Sequence, residues 1–445
     1  MIVVFLLGYL CIALEHPLKI NKAAIALLLS VILWTAYIFY APNLFPSMSL
    51  GEVNNYVNDV QIIQHLGDIS EVLFFLLGAM TIVELVDVHG GFSFITDRIT
   101  TKNKRYLLFI ISIFTFFLSS ILDNLTTAIV MVMLLRKLVH NQHDRWIFAS
   151  MIIIAANSGG AFSPIGDVTT IMLWIHGSVT SGSLISRLFL PALVSTIVPV
   201  FIASRFLKGE IECINGYIDA KGNCHPAAKE VPHKNRVIIL ILGVGSLIFV
   251  PVFKYLTNLP PFIGILLGLS ILWIYTEILY HKMNHIDESR KARISQILSR
   301  IDSSTILFFL GILMSVAVLQ VSGILGEVST SLSKYIGDYR IIDLIIGLIS
   351  SIIDNVPLVA GAIGMYDISA DPTSVFAING GFWVFLSYCA GIGGSILIIG
   401  SAAGVVVMGL EKINFMWYLK RISLLALAGY LAGAAVYILE MQFIF

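Results

Sequence analysis

The chain has 445 residues, of which 58% are hydrophobic and only 12% charged, with a mean hydropathy of +0.92 and no formal net charge. That apolar content exceeds what an ordinary soluble domain carries, and it argues against a soluble enzyme and a nucleic-acid binder. The chain belongs in a bilayer.

Met1 to Leu14 is apolar from its first residue and lacks a basic leader or an Ala-x-Ala cleavage site before Glu15, His16 and Lys19, so it reads as a retained first span. Ala23 to Tyr40, Val72 to Val88, Val237 to Phe253 and Ile263 to Tyr280 are each long enough to cross about 30 Å of hydrocarbon as helices. These runs are continuously apolar, whereas barrel strands alternate, so the fold class is an all-α polytopic membrane protein.

The two halves match. Phe74-Phe75-Leu76-Leu77-Gly78-Ala79-Met80 resembles Phe308-Phe309-Leu310-Gly311-Ile312-Leu313-Met314, and Ser119-Ser120-Ile121-Leu122-Asp123-Asn124 returns as Ser350-Ser351-Ile352-Ile353-Asp354-Asn355. Further on, Asn157 to Asp167 lines up with Gly391 to Ser401 in the same register. The expected order is N-terminal helices (1–69), a first repeat (70–206), a linker (207–236), further helices and a loop (237–303), and a second repeat (304–445).

Lys and Arg cluster around Lys19 and Lys22 and in the segments 98–105, 136–145, 205–236, 282–300 and 412–421, which marks those loops as cytoplasmic and the Lys- and Arg-poor segments 41–67, 175–187, 254–261, 323–340 and 367–380 as outer loops, with both termini outside. Segment 106–140 is then basic at both ends. A single crossing would put one basic cluster outside, so the segment reads as a helical hairpin that dips in and returns, with Asp123-Asn124 near its tip. The counterpart, about 341–366, would enter from outside. The repeats are thus inverted, the pointer to a secondary transporter with a site near the midplane.

A hairpin tip at membrane depth exposes backbone groups that lipid cannot satisfy. A carboxylate there costs roughly 2.5 to 3.5 kcal/mol on insertion scales, so Asp123 and Asp354 point to an ion or proton site built twice. Asn124 and Asn355 add amide oxygens suited to a hard cation, and both pairs could instead serve as helix caps. Between Asn157 and Thr170, Gly159, Gly160, Pro164 and Gly166 interrupt any helix (about 146–174), and Asn157, Ser158, Ser163, Asp167, Thr169 and Thr170 surround the break with oxygens. Its partner (about 381–411) keeps the glycines and carries Ser395 and Ser401.

Three carboxylates in one core favour a cation over an anion, and closely spaced carboxylates can hold either Na⁺ or protons. Competition for one site is exchange, and the chain contains no Gly-x-x-x-x-Gly-Lys-Ser/Thr nucleotide-binding sequence and implies no cofactor. Glu84, near the cytoplasmic end of its span, and His176, near the outer face, are weaker candidates for proton access or pH response. Trp174, Trp383 and Trp417 are expected in the interfacial aromatic belt. The four cysteines, Cys11, Cys213, Cys224 and Cys389, predict no structural disulfide, and Cys213 and Cys224 with His225 and His233 fit no recognised zinc spacing.

On the motifs at 119–128, 157–170 and 354–360, the chain resembles the NhaD-type sodium/proton antiporters of bacteria, within the ion transporter superfamily of inverted-repeat carriers. The resemblance implies a homodimer in the bacterial cytoplasmic (inner) membrane, with a scaffold formed by the non-repeat helices and a mobile transport domain carrying two hairpins and two unwound helices in an elevator-like cycle. Its partners are then Na⁺ (or Li⁺), H⁺ and the lipid bilayer. It also implies a cation and proton site at Asp123, Asn124, Asn157, Asp167, Thr169, Asp354 and Asn355, with Ser395 and Ser401 as additions. Dicarboxylate-carrying relatives have Ser-Asn-Thr at the tips where this chain has Asp-Asn. The alternative remains a carrier of a small anion or oxyacid such as arsenite or a carboxylate.

Overall fold

The computed structural model describes the chain apart from residues 14–18, 92–100, 102, 140, 208, 211–215, 219–223, 227–232, 283–296, 300, 302, 353 and 444–445. Cys213 and most of the basic segments 206–236 and 282–300 therefore lie outside the described residues, as do the side chains of Cys224, His225 and His233. Cys11 and Cys389 are free thiols.

Helices dominate, as continuously apolar runs require where backbone groups must be satisfied within the segment. In the first part these are α1 (Ile2–Ala13), α2 (Lys22–Leu44), α3 (Leu50–Val88), α4 (Lys104–Ser119), α5 (Asn124–Leu138), α6 (Gln142–Ala161), α7 (Val168–His176) and α8 (Ser181–Ser204). A short antiparallel pair, β1 (Gly216–Ile218) with β2 (Cys224–Pro226), lies in the linker. Then come α9 (His233–Thr257), α10 (Pro261–Lys282), α11 (Ser303–Val321), α12 (Ile324–Tyr335), α13 (Tyr339–Ser350), α14 (Asn355–Met365), α15 (Gly381–Gly393), α16 (Ala402–Glu411), α17 (Phe415–Arg421) and α18 (Ser423–Phe443). Among the described residues, seven helices are long and apolar enough to cross a membrane, so the protein is an all-α polytopic membrane protein.

Three details differ from the sequence reading. The segment 41–67, expected as an outer loop, contributes the start of α3: Ser49 and Glu52 form a capping box, and the helix runs through a π-helical stretch, Tyr56–Ile62, into the span. The amphipathic α12 occupies an expected loop. Trp174 and Trp383 are buried in protein, not in an interfacial belt, and the Trp383 indole N–H donates to the Phe376 carbonyl at 2.9 Å. Trp417 is half-buried and packs edge-on against Trp146.

Each half makes the same contacts. The Ser119 hydroxyl at the end of α4 donates to the Ala156 carbonyl of α6 at 2.6 Å, and Ser350 at the end of α13 donates to Ala390 of α15 at 2.8 Å. Gly159 lies against the Phe116 carbonyl and Gly393 against the Gly347 carbonyl, so a methyl group at either position would collide with backbone. These glycines set the approach of a hairpin to a broken helix. Gly159→Ala should therefore destabilise the protein by about 1–3 kcal/mol, visible as a lowered unfolding temperature in detergent; unchanged thermal stability would rule out the close approach.

One end of each of three elements is tied by one buried acid. Glu411, closing α16, accepts from Arg136 Nε of α5 and Arg145 Nε of α6, each at 2.6 Å, while Arg136 also donates to the Leu410 carbonyl and the Trp146 indole N–H to the Glu411 carbonyl at 3.0 Å. The Glu411 side chain is fully buried. Glu411→Ala leaves two partly exposed guanidinium groups without their shared acceptor and should cost about 1–3 kcal/mol. Denaturant unfolding monitored by tryptophan fluorescence would measure it, and a loss under about 1 kcal/mol would contradict this tie.

Candidate functional site

Four half-helices start at one place, and each starts with a polar side chain because a helix N-terminus leaves N–H groups to be satisfied. Asp123 caps α5, its carboxylate accepting from Thr126 N at 2.8 Å and from the Thr126 hydroxyl at 2.7 Å. Asp167 caps α7 and accepts from Thr169 N at 2.9 Å and the Thr169 hydroxyl at 2.8 Å. Ser401 caps α16 through Gly404 N at 3.1 Å. Asp354 precedes α14 without capping it and points instead to the Lys22 ammonium, 3.6 Å away.

Asp167 is the hub. The Asn124 amide donates to its Oδ2 at 2.6 Å and to Asn157 Oδ1 at 3.1 Å, and the Asn355 amide approaches both carboxylate oxygens at 3.3 and 3.4 Å. Asn157 in turn donates to the hydroxyls of Ser395 and Ser401, both at 2.9 Å. Two hairpin tips and two broken helices are thus joined by side chains that are all buried. Asp123 holds φ +123° and ψ 157°, a backbone region that favours glycine and stores about 1–3 kcal/mol in any other residue.

Asp123, Asn124, Asp167, Asp354 and Asn355 line a cavity of about 30 Å³, closed by Phe75, Leu76, Phe309 and Ile171 among others. That is room for one or two water-sized occupants. Among the described residues no three His, Cys, Asp or Glu side chains converge as a metal cage, so a cation here would draw on amide and hydroxyl oxygens beside the carboxylates, the donor set of a hard ion.

Not every sequence candidate joins the cluster. The Ser158 hydroxyl faces α8 and accepts from Ser195 at 2.9 Å. Glu84 lies about one turn beyond Met80 on α3, outside the lining of the cavity. His176 sits in a separate, wider cavity of about 530 Å³ with Gln64, His65, Asp68, Glu71 and Gln320, its Nδ1 2.7 Å from the Ser178 hydroxyl. This vestibule is built from the same helices as the small cavity, one turn away on each: Val72 one turn before Leu76 on α3, and Met172 after Val168 on α7, Leu313 after Phe309 on α11 and Ala360 after Val356 on α14. Sequence reasoning missed Lys22, which it placed only in a basic loop, because nothing local signals that the start of α2 meets the second tip.

A family model described as "Citrate transporter" (CitMHS) matches residues 9–380. Sodium/proton antiporter 1 of Arabidopsis thaliana is 45% identical over 98% of this chain and 72% of its own length, and sodium/proton antiporter 2 of the same plant is 42% identical over the full length of both. The Na(+)/H(+) antiporter NhaD of Vibrio cholerae is 30% identical over 98% of this chain and 91% of its own length.

Proposed function

This chain belongs to the CitMHS family and, within it, to the NhaD-type sodium/proton antiporters, and from that premise we propose that it is a secondary transporter exchanging Na⁺, or Li⁺, for H⁺ by elevator-like alternating access. The observation that carries the reading is the convergence of Asp167 with Asn124, Asn355 and Asn157 beside Asp123 and Asp354 around one ion-sized cavity. The transported cation displaces amide donors from Asp167 as the asparagine side chains turn their oxygens inward, and protons on the carboxylates compete for the same space. Exchange follows from that competition.

The equivalent serine and glycine contacts in the two halves support inverted repeats with hairpins entering from opposite sides. The bundle held by Glu411 and the Asp167 cluster is the transport domain, and α2, α3, α9, α10 and α11 form the scaffold. The vestibule is the outer access route, with His176 facing it; Glu84 lies toward the cytoplasmic end, where it would act on proton access. We place the protein as a homodimer in a bacterial cytoplasmic membrane with its basic loops inside, on the resemblance and the distribution of Lys and Arg.

The family description raises a carboxylate as the alternative cargo. Three acidic side chains facing one basic group, Lys22, among the described residues at the cluster oppose a tricarboxylate electrostatically. At the starts of α5, α7 and α16 one N–H each is already taken by Asp123, Asp167 and Ser401, and the two carboxylates set negative charge where an anion would have to approach. The deciding experiment loads proteoliposomes with a pH dye and adds Na⁺, Li⁺, K⁺ or citrate against an imposed pH gradient. Na⁺-dependent collapse supports the proposal; a response to citrate alone would replace it.

A further inference from the structure

We propose that Asp343 is a second proton-binding site of the transport domain, separate from the cation cluster and reached from the end of α13 that Asp338 caps. Asp343 lies on α13 two helical turns before Ser350, about 10 Å along the axis from the hairpin tip. It has no solvent exposure, and among the described residues neither carboxylate oxygen has a hydrogen-bond partner.

The titratable groups around it are Tyr366 after α14, Cys389 of α15, and Tyr430 and Tyr437 of α18, with Asp338 and Tyr339 at the start of its own helix. None of these offers it a charge of opposite sign, and the two nearby cations are engaged elsewhere: Arg340, one turn earlier on α13, interacts with Tyr339, Asp338 and Tyr437, its Nε 3.5 Å from the Tyr339 hydroxyl, while Arg187 of α8 acts on Tyr437 and donates to the Asn379 carbonyl at 2.8 Å. Two of the hydroxyls are committed elsewhere, Tyr430 to the Leu344 carbonyl at 3.1 Å and Tyr437 to the Gly381 carbonyl at 3.2 Å. The Tyr366 hydroxyl is also buried and lies beside Ser333.

Among the described residues a carboxylate in that setting has neither a hydrogen-bond donor nor an ion-pair partner, so the form it admits here is the neutral acid. Releasing the proton requires the pocket to change, which ties its occupancy to movement of the second hairpin. The repeat supplies a contrast: the equivalent position in the first half is Ser112, also buried and unpartnered, so the second hairpin carries an acid where the first carries a hydroxyl. The exposed Asp338, which caps α13 five residues before Asp343, marks the short way to the aqueous side.

This inference rests on the exchange reading, and sodium-free infrared titration separates the two. A carboxylic acid without hydrogen bonds gives a high-frequency carbonyl band, which should be present in the full-length wild-type protein, disappear as the pH is raised, and be missing from Asp343→Asn and from Asp343→Ser, which copies the first half. Wild-type protein should also release one proton more per bound Na⁺ than either variant. A triple variant, Asp123→Asn with Asp167→Asn and Asp354→Asn, keeps Asp343 and should keep the band whether or not the single variants fold. Wild-type bands in full in Asp343→Asn, or a band that persists at every pH, would overturn the proposal. Absence of Na⁺-linked proton release in the wild type would count against antiport alone, since the titration is read without Na⁺.

Discussion

Asp167→Asn is expected to abolish Na⁺-driven proton movement in proteoliposomes while the protein still folds and inserts. The folding half of that statement follows from geometry: an asparagine oxygen can still accept from Thr169 N, now at 2.9 Å, so the cap of α7 survives. The transport half follows from charge. Among the described residues Asp167 is the one carboxylate hydrogen-bonded to both Asn124 and Asn355, and on the proposed mechanism replacing it removes the negative charge that a cation and a proton both need. Loss of a directly coordinating charge should weaken Na⁺ or Li⁺ binding by more than about 100-fold, beyond the 10–100-fold typical of supporting residues.

Asp123→Asn should follow the same pattern, since its capping bonds to Thr126 are likewise open to an amide oxygen. Thr169→Val is the milder control. It removes one 2.8 Å hydrogen bond to Asp167 and leaves the backbone cap, so about a tenfold loss in apparent cation affinity is expected. Titration calorimetry with Li⁺ or Na⁺ on purified protein measures all three. Retained affinity in Asp167→Asn would exclude the cluster as the cation site and return weight to an anion cargo.

Why the cluster was so legible in the sequence has a physical answer. Polar residues inside apolar helices are expensive, so each that remains marks a place where the chain must satisfy something, and Asp123, Asn124, Asn157, Asp167, Asp354 and Asn355 stood out for that reason. Their register across the two halves paired the breaks as equivalents, while which side chains touch came only from the structure. The sequence did not distinguish which side of a helix a small hydroxyl faces: Ser158 is adjacent to Asn157 yet turns to Ser195 on α8. Nor did it single out Asp343, which lies two residues past the expected start of the second hairpin, where a carboxylate reads as an ordinary solvated helix end. The start of α3 was misread because a polar run, Glu52 to Gln64, resembles a loop until the Ser49 capping box and the π-helical stretch are seen. Long-range pairing such as Glu411 with Arg136 and Arg145 depends on how α16 folds back, which no local pattern encodes.

Lys22→Met should tighten Na⁺ binding, the opposite of every substitution at the carboxylates. The Lys22 ammonium lies 3.6 Å from Asp354 and over the Phe308 ring at 4.4 Å, with both ion-pair partners only partly exposed. It sits at the start of α2, whereas Asp354 sits at the tip between α13 and α14, so the pair crosses from one packed group of helices to another. A positive charge there offsets one of the three carboxylates and repels an entering cation. Removing it should raise cation affinity by about tenfold, on the order of 1 kcal/mol at the effective dielectric of a partly wet site. Turnover should fall even as affinity rises, because an ion held more tightly leaves more slowly and because Asp354 loses the partner that holds it in place. Calorimetry and initial exchange rates on the same preparation separate the two effects. Unchanged or weaker Na⁺ binding in Lys22→Met would mean that the ammonium acts on the packing of the second tip and not on the charge the cation meets.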